Sequence, residues 1–251
     1  MYDAVILAGS PNTGPLAECS AENYEALIKI GDKPMVRYVV DALLDSKLVN
    51  KIAISGPEEL ARYFPEDSVV VVETEGTVIG NALKALAAVD NTKPVIISTC
   101  DIPLLTAEAV IDFIKLCQGT DAHFFYPIVS MAEASQRYPG VKRTSAKIKE
   151  GKFTGGNIFV LNQGLNSRVT AKAQEFVNLR KSPIQLAKLL GFKFVFKLLV
   201  GRLAIPELEA KVSEVLGLTV KAVITMFPEI GIDVDKPSDY SIVSAFLGKP
   251  A

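Results

Sequence analysis

The sequence predicts a doubly wound, mostly parallel α/β sheet, and three observations carry that prediction. The runs AVIL (4–7), KIAIS (51–55), SVVVVE (68–73) and PVIIST (94–99) are apolar on both faces. Strands of a parallel sheet covered by helices have this character, because neither face meets water. Between them lie PMVRYVVDALLDS (34–46), TVIGNALKALAAV (77–89) and TAEAVIDFIKLCQ (106–118), each with apolar residues at helical spacing. The regular succession of strand and helix implies right-handed crossovers and helices on both faces.

Local signals set the boundaries. Pro34 suits a helix start, where a missing N–H costs nothing. Thr106, with Glu108 and Ala109 behind it, suits an N-cap. After residue 120 the character changes. AHFFYPIVS (122–130) and GNIFVLN (156–162) are strand-like, and SAKIKEGKFT (145–154) reads as a hairpin turning at Glu150–Gly151. Residues 164–217 are helical in pattern and strongly apolar toward their end. VKAVITMF (220–227) returns as a strand, and KPSDYSIVSAFL (236–247) begins a last helix, with Pro237 near its first turn and Asp235 as a plausible cap. No internal repeat or low-complexity linker divides the chain, so residues 1–251 read as one domain with a helical elaboration at about 164–217.

Composition excludes several classes of function. The 27 basic and 28 acidic residues nearly cancel, without a long single-sign run, which argues against a nucleic-acid binder. Three widely spaced cysteines (Cys19, Cys100, Cys117) fit a reducing compartment and neither a disulfide frame nor a zinc cluster. The first strand is too short for a signal peptide, and no run reaches transmembrane length. A cytoplasmic location is therefore expected. With His123 the only histidine, and set in an apolar strand, catalysis by histidine pairs is not expected.

Four stretches could carry chemistry. In PVIISTCDIPLL (94–105) a buried strand ends in Asp101, at the sheet edge where open α/β proteins bind ligands. There the carboxylate either holds a hard cation over phosphates or caps the following turn. In PEIGIDVDKPSDY (228–240), Asp233 and Asp235 stand one residue apart, so an extended backbone puts both on one side. Two such carboxylates call for a cation between them, unless one of them caps a helix. In EGTVIGNALKAL (75–86), Gly80 permits close approach of a flat group and Asn81 can pair with a base or ribose edge; helix packing is the plain alternative. Lys142, Arg143, Lys147, Lys149 and Lys152 precede Gly155–Gly156–Asn157, whose backbone N–H groups could receive a second substrate.

Taken in order, LAG after the first strand, GDKPMVRYVVDAL, GNALKAL, CDIPLL, TGGNIFVL and GIDVDKPSDY resemble the MobA-like nucleotidyltransferases. That superfamily includes molybdenum-cofactor guanylyltransferase, sugar-phosphate nucleotidyltransferases and cytidylyltransferases. The resemblance covers residues 1–162 and 219–248 and implies a Rossmann-like sheet of the nucleotide-diphospho-sugar transferase type. It implies that Leu7, Ala8, Gly9 and Ser10 wrap a triphosphate, and that Asp101 with Asp233 or Asp235 holds Mg²⁺. It further implies that Gly80 and Asn81 lie near the base and ribose, and Gly156 and Asn157 near the acceptor. The implied reaction moves a nucleoside monophosphate from a nucleoside triphosphate to a small phosphorylated or hydroxyl acceptor, with release of pyrophosphate.

One departure stands out. The family follows LAG with an arginine and, before its LGGKP-like turn, a lysine; here those positions fall near Glu18 and at Glu25, and no Lys or Arg occurs from Gly9 to Ile28. Lys29 and Lys33 are the nearest substitutes in sequence and the expected catalytic cations beside Asp101, with Arg37, Lys142 and Arg143 as others that could reach in. Two alternative functions remain: a GT-A-like glycosyltransferase, because Asp233-Val234-Asp235 matches a DxD pattern, and a nucleotide-binding module that has lost activity. Residues 191–203, apolar with Lys193, Lys197 and Arg202 around them, read as a peripheral contact with a lipid headgroup or partner, or as a buried helix or homodimer face.

Overall fold

The computed structural model describes residues 1–162, 167–179 and 189–248. Its centre is a mixed, mostly parallel sheet with helices around it. The elements that open the chain are β1 (Tyr2–Leu7), β2 (Lys29–Ile30), β3 (Lys33–Pro34), α1 (Met35–Asp45), β4 (Val49–Ser55), β5 (Val69–Val72), α2 (Val78–Leu86), β6 (Val95–Thr99) and α3 (Ala107–Cys117). There follow β7 (Phe124–Ser130), α4 (Met131–Arg137), β8 (Ala146–Ile148), β9 (Gly151–Gly155), β10 (Ile158–Leu161), α5 (Ser167–Leu179), α6 (Phe192–Leu199), α7 (Ile205–Leu216), β11 (Val220–Thr225) and α8 (Pro237–Leu247).

The main sheet runs β5-β4-β1-β6-β10-β7-β9-β8, with β11 on the other side of β7. Strands β5, β4, β1 and β6 are parallel neighbours, as the all-apolar runs require. Antiparallel β10 is inserted between β6 and β7. Because β1 leads outward to β4 on one side and pairs with β6 on the other, the order reverses there. The crevice at the carboxyl ends of β1 and β6 is the place where such sheets bind ligands.

Two apolar clusters matter for that crevice. The larger joins β1, β4 and β6 to α1 and α3 through residues such as Ile6, Val39, Leu43, Ile96 and Phe113. The smaller gathers Leu16, Ile28, Ile30, Met35, Leu104, Ile232, Val234 and Val243. It pins the loop after β1 and the segment before α8 against the same surface.

Helix starts mostly follow the sequence signals. The Thr106 hydroxyl accepts the Ala109 N–H at 3.2 Å, and the Thr77 hydroxyl accepts that of Gly80 at 3.0 Å. Pro34 sits just before α1, as its cap residue. The expectation that Asp235 caps the last helix is corrected. Lys236 occupies that position, and the Asp239 carboxylate accepts the Asp235 N–H at 3.3 Å. Asp239 is thus the acid that serves the helix start, which leaves the Asp235 carboxylate free to face elsewhere.

The helical pattern of 164–217 appears as α5, α6 and α7; residues 163–166 and 180–188 lie outside the described residues. In α6, Phe192, Phe196 and Leu199 are 80%, 57% and 79% exposed, so this face of the helix is not buried in the chain. Among the described residues no helix is long and apolar enough to cross a membrane. The three cysteines are free thiols, and His123 accepts the Thr219 N–H at Nδ1.

Phe125 on β7 is fully buried where β10, β7 and β11 meet. Phe125→Ala should cost about 3–5 kcal/mol, the scale for removing a fully buried aromatic ring. Urea unfolding should show this as a lower midpoint at unchanged slope.

Candidate functional site

Strand β6 ends at Thr99, and Asp101 follows two residues later at the mouth of the crevice. The Val234 N–H donates to the Asp101 carbonyl oxygen at 2.9 Å. That bond lays the extended segment 232–235 alongside the β6 exit. Val234 points into the small apolar cluster and is 1% exposed, so its two neighbours must point the other way. Carboxylate oxygens of Asp101, Asp233 and Asp235 consequently converge, all within 4.8 Å of one another.

Charge accumulates there. Burial pushes the Asp101 carboxyl up to about 6 from an ordinary 3.8, opposed by the 2.5 Å bond from the Thr99 hydroxyl and reinforced by the charges of Asp235 and Glu25. Glu25 is also raised, first by burial and then by Asp235, with a bond from Ser10 working against the shift. The residue at the family's lysine position therefore sits beside the carboxylates as a fourth acid. Compensation comes from Arg143. Its guanidinium contacts Asp233 through both terminal nitrogens, one bond measuring 2.7 Å, and lies 3.9 Å from Asp235.

The loop after β1 is closed by its own backbone. The Ala8 N–H donates to Ser55, the Glu25 N–H to the Ser10 carbonyl, and the Asn12 N–H to Asn23. The Asn12 side-chain amide donates to the carbonyls of Ser20 and Glu22 at 3.0 and 2.9 Å, and buried Leu16 anchors the middle. Gly9 lies so near Thr74 and Asn81 that a Cβ on it would meet them at 2.5 and 2.9 Å. Gly9, and through it the turn Leu7–Ala8–Gly9–Ser10, thus meets Asn81, whose side-chain amide oxygen accepts the Glu75 N–H at 2.6 Å. Gly80 supports the same helix start.

On the opposite side, Gly156 and Asn157 link β9 to β10. The Gly156 N–H donates to Pro127, the Asn157 N–H to Ile230, and the Asn157 carbonyl accepts the Thr99 N–H. These bonds tie the pair to the β6 exit and to the segment leading to Asp233. The Asn157 side-chain amide nitrogen (Nδ2) is buried without a hydrogen-bond partner, a donor available to a ligand.

The candidate cations divide. The Lys33 amine bonds Asp41 at 3.0 Å on the outer face of α1, and Arg37 is taken by Glu66 and Asp41. Lys29 is exposed on β2, and its carbonyl accepts the Tyr240 hydroxyl. Arg143, from the segment between α4 and β8, is the cation paired with the cluster among the described residues. In the sequence Arg143 stands in a basic run, where solvated residues are the rule, and is offered with Arg37 and Lys142 as a cation that could reach in.

Three carboxylates with hard oxygen donors at this spacing fit a small divalent cation such as Mg²⁺. The MobA-like NTP transferase domain matches residues 4–154. A hypothetical transferase structure from Thermus thermophilus is 34% identical, covers 96% of this chain and 100% of its own, and superposes with a TM-score of 0.84. A 4-diphosphocytidyl-2C-methyl-D-erythritol synthase from Anaerococcus prevotii (10% identity, 99% of both chains, TM-score 0.58) has the same fold. So has CMP:2-keto-3-deoxy-manno-octonic acid synthetase, solved with CTP (12%, 98% of both chains, 0.59). No curated protein matches the chain in sequence.

Two outcomes follow. In both folded and unfolded chains Asp101 is protonated below the ordinary 3.8, but up to about 6 the folded chain keeps its proton while the unfolded chain releases it. The folded state therefore binds more protons in this window, and stability falls as pH rises through it. Melting curves in EDTA should show that decline, and Asp101→Asn should flatten it relative to wild type. A Cβ at position 156 would meet Ile230 at 2.6 Å and Pro127 at 2.8 Å, so Gly156→Ala should destabilise by about 1–3 kcal/mol, the overpacking scale, in chemical denaturation.

Proposed function

Because this chain belongs to the MobA-like NTP transferase domain family and is a nucleotidyltransferase, we propose that it is a Mg²⁺-dependent enzyme that moves a nucleoside monophosphate from a nucleoside triphosphate to a small phosphorylated or hydroxyl acceptor, releasing pyrophosphate. The observation that carries this reading is the convergence of Asp101, Asp233 and Asp235 at the sheet's switch point.

In this reading the acceptor oxygen attacks the α-phosphorus, the bond to the bridging oxygen breaks, and pyrophosphate leaves with the electron pair. Such a displacement asks little proton chemistry of the protein; it asks for in-line positioning and charge compensation. Asp101, Asp233 and Asp235 would hold the metal, which when bound offsets charge on the α-phosphate and the leaving group. Backbone at Ala8–Ser10 faces the phosphates, while Gly80 and Asn81 border the base and ribose. Gly156 and Asn157, with the amide donor left unpaired, receive the acceptor.

The runner-up is a nucleotide-binding module without turnover, favoured by the acidic Glu25 beside Ser10 and Asp235. One assay separates the two: pyrophosphate release with each nucleoside triphosphate, Mg²⁺ and a panel of phosphorylated acceptors. Transfer predicts release that falls by at least about 100-fold in Asp101→Asn, the scale for losing electrostatic stabilisation of the transition state. Nucleotide binding with no release on any acceptor supports the module, and consumption of a nucleotide sugar without pyrophosphate supports a glycosyltransferase.

A further inference from the structure

The charge at the site is unbalanced in a specific way. Asp101, Asp233 and Asp235 converge, the charge of Glu25 acts on Asp101, and the loop proposed to face a triphosphate has no Lys or Arg from Gly9 to Ile28. Arg143 opposes them from a segment without regular secondary structure between α4 and β8. It is 14% exposed and reaches both Asp233 and Asp235. A guanidinium carries five N–H donors, and the Arg143 Nε–H is buried with no partner. The cation is therefore held close to the carboxylates but left with an unused donor.

Resting on the metal-centre reading above, we propose that Arg143 is a resident cation with two alternating partners, the Asp233–Asp235 carboxylates in the free protein and nucleotide phosphate in the loaded site. A divalent cation entering the three-carboxylate cluster competes with the guanidinium for Asp233. Once displaced, the guanidinium lies at the crevice with a planar fork suited to phosphate oxygens. Arg143 then supplies the positive charge that the loop after β1 lacks. The exchange also links the two ligands: phosphate that draws Arg143 away unmasks the metal site, and metal that displaces Arg143 frees it for phosphate. Lys33 and Arg37 cannot serve without first leaving Asp41 and Glu66.

The test uses the full chain and two binding measurements without turnover. Free Mn²⁺ is followed by electron paramagnetic resonance in the absence of nucleotide. Inorganic tripolyphosphate binding is followed by calorimetry in EDTA. Arg143→Gln should bind Mn²⁺ about tenfold tighter and tripolyphosphate about tenfold weaker, the scale of one charge-assisted hydrogen bond. Arg143→Lys, which keeps the charge but loses the fork, should move both in the same directions by less, and it decides the matter if the glutamine variant does not fold. A purely structural arginine predicts no such opposite pair of changes, so unchanged or weaker Mn²⁺ binding, or unchanged tripolyphosphate binding, overturns the proposal. Asp101→Asn separates its failure from that of the metal reading. If this variant weakens Mn²⁺ binding while Arg143→Gln leaves it unchanged, the metal centre stands and the role of Arg143 falls. If Mn²⁺ does not bind, or binds regardless of Asp101, both fall.

Discussion

The site depends on one backbone hydrogen bond, from the Val234 N–H to the Asp101 carbonyl. It joins the exit of a central strand to a segment more than a hundred residues later. Burial of Val234 then decides the direction of Asp233 and Asp235, because neighbours in an extended chain face opposite ways. The apolar cluster around Val234 also holds Leu16 and Ile28, so the same packing that aims the carboxylates seats the loop after β1. The carboxylate cluster and the loop after β1 share one support.

That support accepts an electrostatic cost. Asp101 is pushed toward its neutral form by burial and by Asp235 and Glu25, while the Thr99 hydroxyl works against that shift, and Arg143 pairs with Asp233 beside it. Removing charges from water is repaid only when they are paired or bonded. Carboxylates kept together at such a cost are typical of places where a cation binds. Beside them, the departure at Glu25 has a physical meaning: it adds a further acid, itself raised by burial, where negative charge already accumulates.

Much of the fold was legible because it rests on local signals. The both-face apolar runs at 4–7, 51–55, 68–73 and 94–99 leave no solvated side, and the helices between them start where Thr77 and Thr106 offer a hydroxyl. The inserted antiparallel strand β10 was not legible as such, since GNIFVLN reads alike in either direction. Of the two readings of Asp235, the cap fails because Lys236 holds that position and Asp239 serves the helix start from within the helix. Nearness in sequence offered Lys29 and Lys33 as the cations, and it carries no information on the Lys33–Asp41 pair, which forms because α1 brings Asp41 round beside Arg37.

By itself, the sequence determined the alternation of buried strands and amphipathic helices, the position of Asp101 at a strand exit and the spacing that turns Asp233 and Asp235 to one side. Each is a consequence of backbone periodicity and burial within a dozen residues. Only the tertiary structure decided which carboxylates meet, that Glu25 joins them, and that Arg143 rather than a nearer lysine answers their charge. Those interactions join segments far apart in the chain, 90 residues in the case of Arg143 and Asp233, where packing and Coulomb energy act across distances that no local pattern encodes.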